Sequence, residues 1–399
     1  MVEPNKDRIV IVMKMMIKIY FILLLTSTLI VGCDINKVTA EIQCAPKIII
    51  DSDFNSIGDD GQLLVMAVQL MAVNQVDLLG LTVVTGNGWL LQEQAEALKA
   101  VERLGVETTV GVYAGANYPL HYDEPGIRSQ QKSNPNGYFG AWMYKQPMSS
   151  AELQSPSDGF STHTVLQKQS AVDFIITMAK KYPHEVSVLE VGPPTNLALA
   201  LQKAPEISKL LKQVIYMGGA MEVAGNANAV AELNWWFDPL ATRQLLHSDI
   251  PQVIIPLDVT NKVPLDKKSF ERITADPGKQ TAVTRLYASE NAQALGQNTH
   301  IYDTLTIAWL IDASFAIVIE EAWLDIDTSD GETQGKVLVN KTGPTETSSK
   351  NKIRYVTEFD NSRFMDLYID LLTRPVPVVL TDNCNTTTRV NLSGKLYTE

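Results

Sequence analysis

Four aspartates crowd into Asp51-Ser-Asp53-Phe-Asn-Ser-Ile-Gly-Asp59-Asp60, directly after the apolar run Ile48-Ile49-Ile50. A carboxylate at the end of an apolar run is costly to bury unless water, a partner or a cation compensates it. No His or Cys stands in the stretch. A ligand set made of oxygens alone suits a hard cation, Ca2+ or Mg2+, better than zinc. Asp59 and Asp60 have a second explanation, as the cap and first-turn acid of a following helix. That explanation leaves Asp51 and Asp53 unaccounted for.

The elements that would position these acids follow from the pattern around them. The isoleucine run is too short for a helix and reads as a buried strand, and the spacing over 61–73 reads as a helix after the acidic loop. In an open α/β sheet, ligands bind beyond the carboxyl ends of the strands. The same pattern then repeats. A strand over 76–84 ends in Thr85-Gly86-Asn87-Gly88-Trp89, and an amphipathic helix over 90–104 closes on Gly105. A short strand over 110–113 comes next. Helix 171–182 and strand 186–191 lead into Gly192-Pro193-Pro194-Thr195-Asn196 and a helix over 197–202. Strand 214–217 ends in Gly218-Gly219, and helix 240–247 precedes strand 253–256. Asp303 stands before an apolar helix over 305–311, where a helix cap is the simple reading. A β segment, a polar hairpin and a helix fill 335–372.

This alternation predicts an α/β fold: an open, mostly parallel, doubly wound (Rossmann-like) sheet with helices on both faces. We read it as one domain spanning 46–399. Residues 117–163 break the pattern, mixing Pro, Gly, Ser, Asn and Gln with Tyr118, Tyr122, Tyr138, Phe139, Trp142 and Tyr144. So long a stretch reads either as a lid over a site or as an insertion packed on the sheet edge.

Composition narrows the partners. Among 399 residues, 33 basic against 45 acidic side chains give a formal charge of −12, which argues against a nucleic-acid polymer as ligand. It leaves an uncharged nucleoside open. Residues 1–40 read as a leader: Lys14 and Lys18 precede an apolar run over 19–32 that is short for a membrane span. The run ends in Leu29-Ile30-Val31-Gly32-Cys33, which resembles a bacterial lipobox, with Cys33 the candidate for lipidation. Asp34 after it would favour retention at the inner membrane. Cleavage after Ala40, or an uncleaved anchor, are the alternatives, and all three export the chain to the periplasm or beyond. There Cys44 and Cys384 could pair.

Several motifs, taken in order, resemble the nucleoside hydrolases of the inosine–uridine-preferring type, over nearly everything from 46 to about 372. They are Asp51-x-Asp53…Asp59-Asp60, Gly86-Asn87, Gly192-Pro-Pro-Thr195-Asn196, Met217-Gly218-Gly219, Gly225-Asn226…Glu232-Leu233-Asn234…Asp238-Pro239, and the helix opened by Asp303. The resemblance implies the nucleoside hydrolase fold and a Ca2+ held by Asp53, Asp60 and Asp303, with the Thr195 carbonyl. It places Asp59, Asn226, Glu232 and Asn234 against the ribose hydroxyls, with Asn87 and Met217 nearby. It implies hydrolysis of the N-glycosidic bond of ribonucleosides to free base and ribose, with Asp53 activating a metal-bound water and Asn234 assisting. Carboxylates and amides around the sugar suit the oxocarbenium-like transition state of such a cleavage.

Two departures from the family pattern bear on mechanism. The Asp53 to Asp59 gap is two residues longer than in the family's D-x-D-x-x-x-D-D. Tyr302 stands where many members carry the histidine that protonates the leaving base. Purine-preferring members place an aromatic there and sandwich the base, which implies a purine leaning with Tyr302 and Trp89 as the stacking pair. Trp235 or Trp236 could join them or could be plain core. His163, at the end of the long loop, is the histidine to watch. The alternative class is a catalytically silent, Ca2+-dependent nucleoside- or sugar-binding lipoprotein. Self-association into a homo-oligomer stays open.

Overall fold

A continuous apolar strand needs cover on both faces, and Ile48, Ile49 and Ile50 have it: each is fully buried. Ile48 and Ile50 pack into one core, while Ile49 points the other way into a second, as side chains alternate along a strand. Burial of each is worth about 1.5–3 kcal/mol. In the computed structural model, which describes residues 45–121, 123–292, 295, 299–377, 388–390 and 396–398, this strand lies inside a nine-stranded sheet.

The first half of the chain contributes β1 (Lys47–Ser52), α1 (Asp59–Ala72), β2 (Asp77–Val83), α2 (Leu90–Arg103), β3 (Gly111–Ala114) and α3 (Glu124–Ser133). Then come α4 (Ala171–Lys181), β4 (Val186–Glu190), α5 (Thr195–Lys203), β5 (Gln213–Met217), α6 (Leu233–Phe237), α7 (Pro239–Leu246) and β6 (Gln252–Ile255). The rest is α8 (Leu257–Thr260), α9 (Lys267–Thr274), α10 (Ala282–Asn291), α11 (Thr304–Ile311), β7 (Ala316–Ile326), β8 (Val337–Asn340), β9 (Ile353–Phe359) and α12 (Asn361–Thr373). The short strands 388–390 and 396–398 pair with each other.

Strand order is β3-β2-β1-β4-β5-β6-β9-β7-β8. Pairing is parallel from β3 through β9, and β7 runs antiparallel to both β9 and β8. The expected open, mostly parallel α/β sheet is therefore present. Its order reverses at β1, with β2 on one side and β4 on the other, and this switch point is where such sheets bind ligands. α1, α11 and α12 cover one face and α4, α5 and α7 the other.

Several elements differ from expectation. α3 lies inside the 117–163 segment, which reads as irregular because only Ile127 and Gln130 of the helix are buried, too few for an apolar stripe. β7 goes unread because its first half is largely exposed and lacks the apolar signature of a central strand. α9 and α10 occupy a stretch for which the sequence pattern suggests no element. Around α3, the long segment builds a small core of its own: Ile127, Phe139, Ala141 and Trp142 pack with Trp89, Ala227, Leu233 and Trp236.

Among the described residues no helix is long and apolar enough to cross a membrane. The leader, Cys33 and the Cys44–Cys384 pair lie outside the described residues.

Candidate active site

The end of β1 delivers Asp53, and the first turn of α1 delivers Asp59 and Asp60. Ser52 Oγ donates to Asp60 Oδ1 at 2.6 Å, and Asn55 Nδ2 donates to Asp59 Oδ1 at 3.4 Å. Asn55 belongs to the two-residue-longer loop, so the extra length folds back onto the acids. Across the crevice, Asp303 precedes α11. It already has helical angles (φ −62°, ψ −36°), and its carboxylate caps nothing. The helix-cap reading of Asp303 therefore fails. One oxygen each from Asp59, Asp60 and Asp303 lies within 4.8 Å of the others.

The electrostatics of this group are one-sided. Burial pushes Asp53, Asp60 and Asp303 well above the usual carboxylate range, and their repulsion of one another and by Asp59 adds to it. Burial raises Asp59 as well. Among the described residues no Lys or Arg forms an ion pair with any of the four. Converging buried oxygens without a cationic partner fit a hard divalent cation. Asp53, expected as a ligand, stands beside the converging three, and Asp59, expected on the sugar, is one of them. Asp53 Oδ2 accepts the Asn87 backbone N–H at 2.8 Å.

β4 supplies Thr195, the first residue of α5. Its hydroxyl donates to Asp238 Oδ2 at 2.7 Å. Asp238 is fully buried and also accepts the backbone N–H groups of Leu120 and Ala241. It thus ties the Thr195 turn to the start of the long segment, a role that sequence motif alone leaves unassigned.

The remaining sugar-side candidates come together around the end of β5. Glu232 caps α6, accepting N–H groups from Asn234 at 2.7 Å, Trp235 at 3.1 Å and Gly219 at 3.0 Å. Burial outweighs those bonds and pushes it up to about 7. Asn234 Nδ2 bridges the carbonyls of Val191 and Met217 at 3.0 and 3.1 Å, and Asn226 Oδ1 accepts the Leu233 N–H at 2.8 Å. Met217 closes β5 and is buried.

Behind the site, Asp51 faces Glu190 across the β1–β4 register. It also takes hydrogen bonds from Thr82 Oγ1 and Asn196 Nδ2 at 2.6 and 2.8 Å. Burial pushes Asp51 up to about 6 and Glu190 well above its usual range, with Asp51's charge adding to the latter. Asp51 is thus held inside the sheet, out of the acid cluster.

The aromatics divide. Burial, reinforced by the charges of Asp59, Glu232 and Asp303, raises the Tyr302 phenol and keeps it protonated beside the acids. Trp89 is packed edge-on by Tyr118 and Trp142, and its Nε1 donates to the Tyr144 carbonyl at 3.1 Å. Trp235 and Trp236 are core. Trp235 lies over Gly218 and Gly219 and against Tyr216, and Trp236 Nε1 is spent on Gln130 at 2.9 Å, so neither is available to stack on a base. His163 sits on the surface beside Glu102 and Glu107 near the end of α2.

One glycine decides how closely the loops approach. A Cβ on Gly86 would stand 2.2 Å from Asp53 Oδ2. Gly86→Ala is therefore expected to displace the Asp53 carboxylate and lower kcat by about 10²-fold, the scale of a misplacement near 1 Å. Steady-state kinetics beside a thermal melt check it; unchanged kcat would show that the turn adapts.

Residues 48–366 match the family described as inosine-uridine preferring nucleoside hydrolase. The chain belongs to that family. As a nucleoside hydrolase it cleaves the N-glycosidic bond of ribonucleosides, a small-molecule substrate in keeping with its charge. Pyrimidine-specific ribonucleoside hydrolase RihA of Citrobacter koseri is 27% identical over 322 residues, which is 79% of this chain and 94% of RihA. The purine-preferring ribonucleoside hydrolase of Gardnerella vaginalis superposes with a TM-score of 0.63 at 25% identity, covering 82% of this chain and 98% of that one. A plant nucleoside hydrolase, PpNRh1, shares the fold at a TM-score of 0.65 and 22% identity, with coverages of 83% and 99%. The family is metal-dependent, and Asp59, Asp60 and Asp303 form an aspartate cluster of the kind a cation needs.

Proposed function

We propose that this nucleoside hydrolase is an exported, Ca2+-dependent enzyme that prefers purine ribonucleosides and is anchored through a lipid on Cys33. The observation that carries the calcium reading is the convergence of Asp59, Asp60 and Asp303 beside Asp53, all oxygen donors, with Asp53, Asp60 and Asp303 buried and Asp59 half-buried. Asp60 and Asp303, with the Thr195 carbonyl and the neighbouring Asp53 and Asp59, would hold the ion. When bound, the cation would offset the repulsion among these acids and lower the pKa of a coordinated water.

The side chains supply the rest. Asp53 accepts the proton of the water that attacks C1′ of the ribose. Asp59, Asn226, Glu232 and Asn234 line the sugar side, where carboxylate and amide oxygens stabilise positive charge developing on the ring. Tyr302, which retains its proton, can hydrogen-bond the departing base and present an aromatic face to it. That aromatic, in place of a titrating histidine, supports the purine leaning. Export and the anchor rest on the basic-then-apolar leader and its Leu29-Ile30-Val31-Gly32-Cys33 end.

Ribose release from inosine, guanosine, adenosine, uridine and cytidine tests the proposal, run in chelator and again after Ca2+ is restored. The expected result is release that chelator abolishes, Ca2+ restores, and purines exceed. Faster release from uridine than from inosine would overturn the purine leaning. Chelator-sensitive nucleoside binding without any release would leave a binding lipoprotein.

A further inference from the structure

Asn87 has nearly all its hydrogen-bonding capacity committed to the acids. Its backbone N–H goes to Asp53 Oδ2 at 2.8 Å, and its Nδ2 goes to the Asp53 carbonyl at 3.1 Å and Asp60 Oδ2 at 3.5 Å. The amide oxygen remains, and Tyr138 takes it, donating its hydroxyl to Asn87 Oδ1 at 3.0 Å. We propose that Tyr138 is a positioning residue for hydrolysis: carried in by the 117–163 segment, its hydroxyl fixes the Asn87 side chain, which ties the Asp53 backbone carbonyl to Asp60 Oδ2 and so holds in place the residue whose N–H grips the Asp53 carboxylate. This rests on the reading of Asp53 as the general base.

Tyr138 can hold such a position because its own backbone is pinned on two sides. Its N–H donates to the Asn226 carbonyl at 3.2 Å, and Asn134 Nδ2 donates to the Ala227 carbonyl at 3.3 Å, which fixes the approach to one sugar-side turn. On the other side, Ala141 N–H donates to the Gly86 carbonyl at 2.7 Å. That contact needs Gly140, whose φ of +52° and 2.0 Å Cβ-to-Gly86 carbonyl distance exclude a side chain. Phe139 is wedged edge-on against Trp236 with ring centres 5.1 Å apart. The segment is therefore docked on the Asn87 turn and the Asn226 turn together, and Tyr138 is the side chain that reaches from it toward the acids.

The alternative is a tyrosine that merely packs. The chemistry argues otherwise, since Tyr138 remains 37% exposed as a residue while its hydroxyl is spent on Asn87. The phenol retains its proton, raised by burial and by the charges of Asp53, Asp59 and Glu93, so it is the donor in that bond. Without it, the Asn87 amide is held at its Nδ2 end alone about a broad χ2 torsion, and its bonds to the Asp53 backbone carbonyl and Asp60 Oδ2 loosen.

The test is Tyr138→Phe in the full chain, with inosine as substrate and Ca2+ present. The expected result is a fall in kcat of about 3- to 10-fold, the range of one hydrogen bond felt in the transition state. KM and melting temperature should stay near the wild-type values, which a packing role would not predict. In an Asn87→Ala background the same substitution should cost nothing further, because the partner is already gone. An unchanged kcat for Tyr138→Phe, or an equal loss with and without Asn87, would overturn the proposal while wild-type turnover stands. A wild-type chain inactive on every nucleoside would remove the hydrolase mechanism and this proposal together.

Discussion

Asp53→Ala lowers kcat by about 10²–10⁴-fold, the contribution of a well-placed general base, and leaves the fold intact. Asp53 is the one acid of the cluster that lies outside the 4.8 Å group of Asp59, Asp60 and Asp303 while still sharing their charge environment. Its Oδ2 is held by the Asn87 N–H, and Gly86 is kept bare of a Cβ to admit it. A carboxylate so fixed at the rim of the cation site is suited to take a proton from water. Asp53→Asn should fare little better than alanine, because an amide keeps the shape and loses the basicity. Stability should move the other way. Burial and the charges of Asp60 and Asp59 disfavour ionised Asp53, so in chelator the alanine variant should melt no lower than wild type. Kinetics and melts on the same preparations test both halves. Retention of more than about a tenth of wild-type kcat would remove Asp53 from the base role, since such a base is worth at least about 10²-fold.

The parallel half of the sheet was readable because each central strand is apolar on both faces and breaks off in Asp, Thr, Asn or Gly at one edge. Asp51 to Asp60, Gly86-Asn87 and Thr195-Asn196 are such edges, and the switch point at β1 gathers them. What stayed hidden required distance. An aspartate before a helix can cap it or turn away, and only the geometry of Asp303 separates the two. Trp235 and Trp236 could equally face a ligand or the core until Gly218, Tyr216 and Gln130 were found against them. Glu190 sits in an apolar strand with nothing to mark it, and only strand register brings it opposite Asp51. Tyr138 was one aromatic among several in an irregular stretch. Its reach to Asn87 depends on a polar helix with two buried residues, which carries no periodic signal.

Chelated protein is expected to lose stability as pH rises from about 5 to 8, and Ca2+ to reverse the trend. Asp51 and Glu232 hold their protons in the folded chain up to about 6 and about 7, against ordinary values of about 3.9 and 4.3 in the unfolded chain. Between those limits the folded state binds more protons than the unfolded state. The slope of unfolding free energy with pH is then negative, so stability is present at low pH and lost as pH climbs through the folded values. Each of these two groups is worth on the order of 3 kcal/mol over its window. Asp53, Asp60, Asp303 and Asp59 are raised in the same direction and add to the loss. Surface acids with the opposite sign exist: hydrogen bonds from Ser314 and the nearby Arg363 hold Asp312 near 2. Their stabilisation is lost only below the ordinary carboxylate range, so they do not oppose the trend between 5 and 8. A cation bound to the folded chain alone adds about 2.7 kcal/mol at a hundred times its dissociation constant. Because it requires ionised carboxylates, that gain grows with pH, where the chelated protein is weakest. Thermal melts at pH 5, 6, 7 and 8, with chelator and with Ca2+, measure both curves. A chelated melting temperature that climbs steadily across this range would mean the cluster ionises without help, and the cation reading of Asp59, Asp60 and Asp303 would fall.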